Sequence, residues 1–517
     1  MSDTAALPQG VLVAGMVLAA ALAAGAVLGR TVRGRAYAML GALLLTPVLL
    51  VGEIWHSPQL HTARAHPVLA VAAAVIAVAA LAALALLLSR RPGLLCVLAL
   101  AALPFRIPVQ AGGSTANLLV PLYAVIGAGA LAWLVPRLSP RHQGEPAPRP
   151  GALEWLLLGG VVLYALQAVY SSATSDALQQ VVFFYVPFAL LFALLRGLEW
   201  TPPRLAWGGG VLTGLALVFA AIGFWEFQTR RLLLNPKVIA SNQVEEYFRV
   251  NSLFFDPNIY GRFLALVMIG LAGVLLWRGR PRDVWIAVAA LAVLWGGLLT
   301  TLSQSSFAAL LLGLFVLAWL RFGGRVVAAP AVAVAAAALV LVLAFPGALR
   351  LNLSSEDSIS KATSGRADLI QGGVNLARER PLAGWGSGSF QREYRRHEHS
   401  SGREATSASH TIPITVAAEQ GLVGFAVYVA LLVLALRRLL RGARGEPVRA
   451  VVAACFAALL LHTWVYAAFL EDPMTWTLLA LGTALAAPRA AARVSPAESG
   501  SRNGRPQEPV VAAQTAP

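Results

Sequence analysis

SASHTIPITVAAEQGLVGFAVYVALLVLALRR, residues 407–438, holds in one line the pattern that decides the fold. A polar lead-in ends at His410, the run 412–436 carries one acid and no base, and Arg437 and Arg438 close it. About 20 apolar residues in a helix cross a hydrocarbon core of about 30 Å. Pro413 suits the first turn of that helix, where a missing N–H costs nothing. The same rhythm repeats along the chain, near 9–29, 37–54, 67–88, 93–105, 117–135, 152–169, 176–196, 205–225, 259–277, 283–300, 303–320, 325–345, 412–436, 449–468 and 472–488. The expectation is an all-α, polytopic transmembrane protein with about 15 spans (12–15). The run at 93–105 is short and reads either as a span or as a buried or re-entrant helix.

Composition agrees. Hydrophobic residues make up 58% of the 517 and charged residues 12%, about half the charge of a soluble protein. The mean hydropathy is +0.70. A net charge of +16 would suit a nucleic-acid binder, but the arginines sit at the ends of apolar runs, where they set orientation. No nucleic-acid partner is expected; the surrounding partner is membrane lipid. Cys96 and Cys455 both fall inside apolar runs and read as inert core residues rather than a disulfide framework. The first ten residues, MSDTAALPQG, contain no basic n-region, so a cleaved signal peptide is not expected.

Short loops on one side carry Arg137 and Arg141, Arg196 and Arg204, Arg278, Arg280 and Arg282, Arg321 and Arg325, and Arg437, Arg438, Arg441 and Arg444. The alternate short loops, YSSATSD and the LEDP turn, have no Lys or Arg. By the positive-inside rule the first set is cytoplasmic. Residues 226–258 and the long polar interruption 346–411 then face outside. The interruption carries many arginines, but the rule is weak for loops longer than about 60 residues. The expected organisation is 1–225, transmembrane helices; 226–345, transmembrane helices with the outer loop 226–258; 346–411, one large periplasmic loop carrying amphipathic helices; 412–488, transmembrane helices; and 489–517, a cytoplasmic tail without hydrophobic periodicity, expected to be disordered.

Three segments fall on the outer side. RVNSLFFDPNIYGR, Arg249 to Arg262, brings Arg249, Asp256 and Asn258 to the start of a span. The plain reading of these residues is an N-capped helix with an interface arginine. SGRADLIQGGVNLARERPLAGWGSGSF, 364–390, combines an amphipathic helix beginning near Arg366 with a stop at Pro381 and glycines at 384, 386 and 388. Those glycines could present amides to an anion or form a plain loop. The third segment supplies His410 and, on the following helix, Glu419, an ionisable residue in an apolar phase that calls for a partner or a task. His397–His399 lacks a third ligand at useful spacing, so no metal site is expected. Walker, nucleophile-elbow and dinucleotide motifs are missing from the sequence, and no cofactor is expected.

In this order the segments resemble the O-antigen ligase family of bacterial envelope glycosyltransferases. Arg249, Phe254, Pro257 and Asn258 match its R-x-x-x-x-F-x-x-P-N pattern. Arg366 and Leu369, then Pro381, Leu382, Gly384, Gly386, Gly388 and Phe390, match R-x-x-L and P-L-x-G-x-G-x-G-x-F. His410, Glu419, Gly421 and Gly424 match H-x8-E-x-G-x-x-G. One departure is Gln304, in LSQSS, where members often carry arginine; the other is the number of spans, above the usual dozen or so.

The resemblance implies a multi-pass protein of the bacterial inner membrane. It would move a glycan from an undecaprenyl diphosphate carrier to an acceptor, lipid A–core or related, at the periplasmic face. In that chemistry Arg249 and Arg366, with Asn258, bind the donor diphosphate and stabilise its growing negative charge. His410 takes the acceptor's proton as general base. Glu419 orients the site or supports its helix. With arginines supplying the positive charge, the reaction is expected to be metal-independent. The alternatives are an O-antigen or exopolysaccharide polymerase using the same donor with a growing glycan as acceptor, and a lipid-linked oligosaccharide transporter. The transporter would require ionisable residues buried mid-span and repeat symmetry, and the mid-span positions are almost wholly apolar.

Overall fold

The structure, a computed structural model, describes residues 7–55, 61, 64–111, 114–234, 238–239, 242, 248–277, 280–330, 332, 336, 366–397 and 411–486. In chain order the helices are α1 (Gln9–Leu28), α2 (Val32–Ile54), α3 (Pro67–Arg90), α4 (Gly93–Ala102), α5 (Val120–Arg137), α6 (Ala152–Gln167), α7 (Thr174–Arg196), α8 (Pro202–Thr229), α9 (Pro257–Trp277), α10 (Pro281–Thr301), α11 (Gln304–Phe322), α12 (Arg366–Glu379), α13 (Phe390–His397), α14 (Ile412–Leu440), α15 (Pro447–Val465) and α16 (Pro473–Leu485). Proline opens α3, α8, α9, α10, α15 and α16, where its fixed φ favours the first turn.

Twelve of these helices are long and apolar enough to cross a membrane: α1–α3, α5–α11, α14 and α15. The expected class of polytopic helical protein therefore holds. The expected span near 93–105 is α4, ten residues and only about 15 Å long. It packs against α8 and α5 instead of standing alone. The last expected span is α16, 13 residues, also short of a full crossing. The run near 325–345 lies mostly outside the described residues, as does 346–365.

One element was not legible as a structure of its own. Between α4 and α5, Ile107–Ala111 (β1) pairs antiparallel with Ser114–Leu118 (β2), Ile107 opposite Leu118. Large apolar residues such as Leu69, Trp207, Trp285 and Leu311 remain exposed on the helix surfaces. Such a surface suits lipid rather than water.

The core forms around α9, which is buried along most of its length and packs on α8, α10, α11 and α15. At its first turns Gly261 allows α11 to approach closely; a Cβ there would lie 2.7 Å from Ser306 Oγ. Phe219, Phe254, Tyr260 and Phe263 form an aromatic cluster, with Phe219–Phe254 centroids 5.2 Å apart and Phe254 stacked on Tyr260 at 5.5 Å. Each such pair adds about 0.5–1.5 kcal/mol to the burial itself. Phe254 thereby pins the segment that precedes α9 to the bundle.

Candidate active site

At one end of the bundle, the segment entering α9 meets the α10–α11 turn. Arg249 Nε donates to Thr301 O at 3.0 Å, and Arg249 Nη2 donates to Asn258 Oδ1 at 3.2 Å. The Arg249 backbone is tied on both sides to the Asn242 side chain, N to Oδ1 at 3.1 Å and O from Nδ2 at 2.9 Å. Val250 N donates to Thr300 O at 3.2 Å. The guanidinium is half-buried, and among the described residues it is fixed along one side by neutral acceptors. Two of the residues expected together, Arg249 and Asn258, are therefore in contact.

Asn258 is itself held. Ser303 Oγ donates to its Oδ1 at 2.8 Å, and Ser306 Oγ donates to its backbone oxygen at 3.2 Å. Ser305 Oγ and Ser306 Oγ lie 3.2 and 3.4 Å from Nε2 of His462, buried on α15. The LSQSS segment thus supplies serines inward, while Gln304 between them is exposed. Gln304 is the position that stands out in the sequence, whereas Ser303, Ser305, Ser306 and His462 match no motif there and gain their place only from the fold.

The turn between α15 and α16 closes this side. Asp472 pairs with Arg262 of α9 at 2.5 Å, both almost fully buried. The contact is ionic rather than a well-aligned hydrogen bond, since among the described residues neither Arg262 Nη atom has a hydrogen-bond partner of good geometry. Tyr466 bonds the side chain of Asp256, whose Oδ1 accepts the Asn258 N–H at 2.6 Å. Burial raises the Glu471 carboxyl above the ordinary carboxylate range, with Arg106 pulling it back.

The second cluster forms where PLAGWGSGSF meets α14. That helix breaks at Gly421 (φ 62°, ψ −163°), which frees carbonyls upstream. Trp385 N donates to Ala418 O at 3.0 Å and Gly386 N to Glu419 O at 2.8 Å. The buried Glu419 carboxylate accepts from Gly388 N at 2.9 Å and Phe390 N at 3.1 Å. Gly384 N bonds Arg380 O at 3.0 Å. The amides of Gly384, Gly386 and Gly388 are all taken up internally. The plain-loop reading of those glycines is the one the geometry supports, and no amide cradle for an anion is formed by them.

The α6–α7 connection holds the same turn from the other side. Tyr170 Oη donates to Ala383 O at 2.6 Å, Ser171 Oγ to Ser387 O at 2.8 Å, and Ser387 Oγ to Tyr164 O at 2.8 Å. Gln167 Nε2 reaches Gln420 O at 3.1 Å. Gly386, at φ 93°, leaves no room for a side chain, since a Cβ would lie 2.5 Å from Ser171 Cα. The two clusters meet at the α15–α16 turn, where Glu471 is in electrostatic reach of both Glu419 and Arg106.

Backbone strain gathers at the same end. Among the described residues, the non-glycine positions with left-handed φ are Arg230 (55°), Ser252 (50°), Leu302 (50°) and Ala468 (64°). Arg230 and Ser252 lie in the segment leading to α9, Leu302 in the α10–α11 turn and Ala468 in the α15–α16 turn. Such positions cost about 1–3 kcal/mol each and persist only where the surroundings over-determine them, commonly at functional sites.

Of the remaining expected residues, Arg366 opens α12 but its side chain lies outside the described residues, and so does His410, one residue before the described Thr411. Residues 289–429 match a family model described as O-Antigen ligase. The chain carries an O-antigen ligase family domain. The matched stretch runs from α10 into α14 and takes in the serine turn, Arg366, the glycine turn, His410 and Glu419. Arg249 and Asn258 precede it and join it through Thr301 and Ser303. Members of the O-antigen ligase family are membrane glycosyltransferase-like enzymes of ligase or polymerase type. No curated protein and no solved structure matches the chain.

Proposed function

We propose that this protein is an O-antigen ligase-like glycosyltransferase that moves a glycan from undecaprenyl diphosphate to an acceptor, lipid A–core or related, at the periplasmic face of the inner membrane. The observation that carries the proposal is the mounting of Arg249 within a chain that holds the family domain. Among the described residues its guanidinium is held through Nε and Nη2 by Thr301 O and Asn258 Oδ1, and its Nη1 takes no described partner. A fork of this kind suits a diphosphate, whose leaving oxygen gains negative charge as the anomeric carbon departs.

Arg366 adds a second cation from α12, and His410, leading into α14, accepts the proton of the attacking hydroxyl. Asn258 sets the angle of Arg249 and contributes to the donor subsite. Glu419 acts as a positioning residue: with both carboxylate oxygens bonded to the glycine turn, it holds the connection between α12 and α14 rather than touching substrate. The positive charge of the site comes from arginine, so the reaction runs without a metal ion. The orientation follows from the arginine-rich loops at the opposite helix ends.

The test is glycan analysis of a deletion strain complemented with the parent or with His410→Ala. Long polymer accumulating on the lipid carrier in both the deletion and the His410→Ala strain is the expected result. Single repeat units on the carrier would make the protein a polymerase with the same donor. Unchanged surface and lipid-linked glycans would refute the proposal.

A further inference from the structure

We infer that Glu226, which lies outside the three motif segments and before the matched residues 289–429, is the positioning residue that builds the Arg249 subsite. Glu226 lies in the last turn of α8 with no exposed surface. Its Oε1 accepts Leu233 N at 3.0 Å, and its Oε2 accepts Ser252 N at 2.7 Å and Asn251 N at 3.3 Å. One carboxylate thus fastens both the chain leaving α8 and the chain returning to α9.

The path on which the chain meets those bonds is strained. Arg230 ends α8 in the left-handed region, and Ser252 takes the same region where the segment turns toward α9. Ser252 Oγ donates to Phe219 O at 2.9 Å, and Asn251 Nδ2 donates to Leu234 O at 3.2 Å. Arg249 stands two residues before Asn251, so the Glu226 clamp sets where its guanidinium emerges beside Thr301 and Asn258. The partners of Glu226 are backbone amides on two separate strands of the loop. A carboxylate can accept from both; an amide side chain has one acceptor oxygen and turns its NH2 against an N–H on the other side.

This inference rests on the diphosphate-binding reading of Arg249, and Glu226 acts through Arg249 without touching substrate. The experiment uses the full chain in nanodiscs, as parent, Glu226→Gln, Glu226→Asp, Arg249→Ala and the Glu226→Gln/Arg249→Ala pair. Hydrogen exchange reports the amides of Leu233, Asn251 and Ser252, and steady-state transfer from a lipid diphosphate-linked glycan reports donor KM and kcat. In Glu226→Gln the three amides should exchange at least tenfold faster. Its donor KM should rise about tenfold with kcat held within about twofold, Glu226→Asp should recover part of the loss, and the pair should be no worse than Arg249→Ala alone, since coupled residues are not additive.

Unchanged exchange in Glu226→Gln would overturn the clamp. Faster exchange with an unchanged donor KM, or a pair whose losses multiply, would overturn the link to Arg249. A parent that neither binds nor transfers the lipid diphosphate would sink the glycosyl-transfer reading and the donor role of Glu226 with it, whereas a parent with normal transfer isolates the fate of Glu226.

Discussion

Replacing Asp472 by asparagine removes a charge from the α15–α16 turn and little else. Asp472 and Arg262 are 3 to 4% exposed or less, and their charged atoms are 2.5 Å apart. Asp472 also caps α16, its Oδ1 accepting Met474 N at 2.8 Å. Asparagine is as good a cap as aspartate, so Asp472→Asn retains that bond. What is lost is the counter-charge of a buried guanidinium, and removing one partner of a buried pair costs about 3–5 kcal/mol. The upper part of that range is expected, because Arg106 also faces Asp472 and would be left against Arg262.

Asp472→Ala should lose about 1 kcal/mol more, the value of a helix cap. Arg262→Met combined with Asp472→Asn should regain much of the loss, since removing the orphaned guanidinium also removes its repulsion of Arg106. Reversible unfolding in mixed micelles measures all three. A loss of 3 kcal/mol or more corresponds to over a hundredfold in the folded-to-unfolded ratio, at about 1.4 kcal/mol per tenfold. Asp472→Asn within about 1 kcal/mol of the parent, or a double variant no better than the single one, would refute the buried pair.

Three further outcomes are expected. Gly386→Ala should abolish transfer and lower the unfolding midpoint, because its Cβ would meet Ser171 Cα at 2.5 Å and its φ of 93° excludes a side chain; a fully active, stable Gly386→Ala protein would contradict the turn geometry. Burial raises the folded-state pKa of Glu471, so protonation favours the folded state as pH falls through that raised value toward the unfolded one. Glu471→Gln should accordingly stabilise the protein at neutral pH, with the gain shrinking as pH falls, and an unfolding series over pH in which the gain is constant would count against it. Arg366→Lys should reduce transfer by at least tenfold while EDTA leaves the parent unaffected, since a point charge does not replace a planar fork; loss on EDTA restored by a divalent ion would return a metal to the mechanism.

The helices were legible in the sequence because membrane burial imposes a local rule. A run of about 20 apolar residues satisfies its own backbone and needs no distant partner to be recognised. Even so, length decided against α4, whose ten residues make it a packed accessory to α8 and α5. The polar motifs were legible as residues, and Arg249 and Asn258 do meet, nine positions apart in sequence and joined at 3.2 Å.

What those motifs do was decided by tertiary contact. The amide-rich glycines read equally well as an anion cradle until Glu419 and the carbonyls freed by Gly421 were placed beneath them. His462 reaches the serine turn across 157 positions, and Asp472 finds Arg262 from another helix altogether. Glu226 gave no signal, because its partners are backbone amides, which every residue except proline possesses and no sequence pattern marks. Hydropathy and charge act locally, so the residues alone specify a multi-span helical chain with its polar motifs between the spans. Only the tertiary structure assigned each polar side chain its partner, because a buried polar group is stabilised by whatever the fold brings within about 3 Å of it.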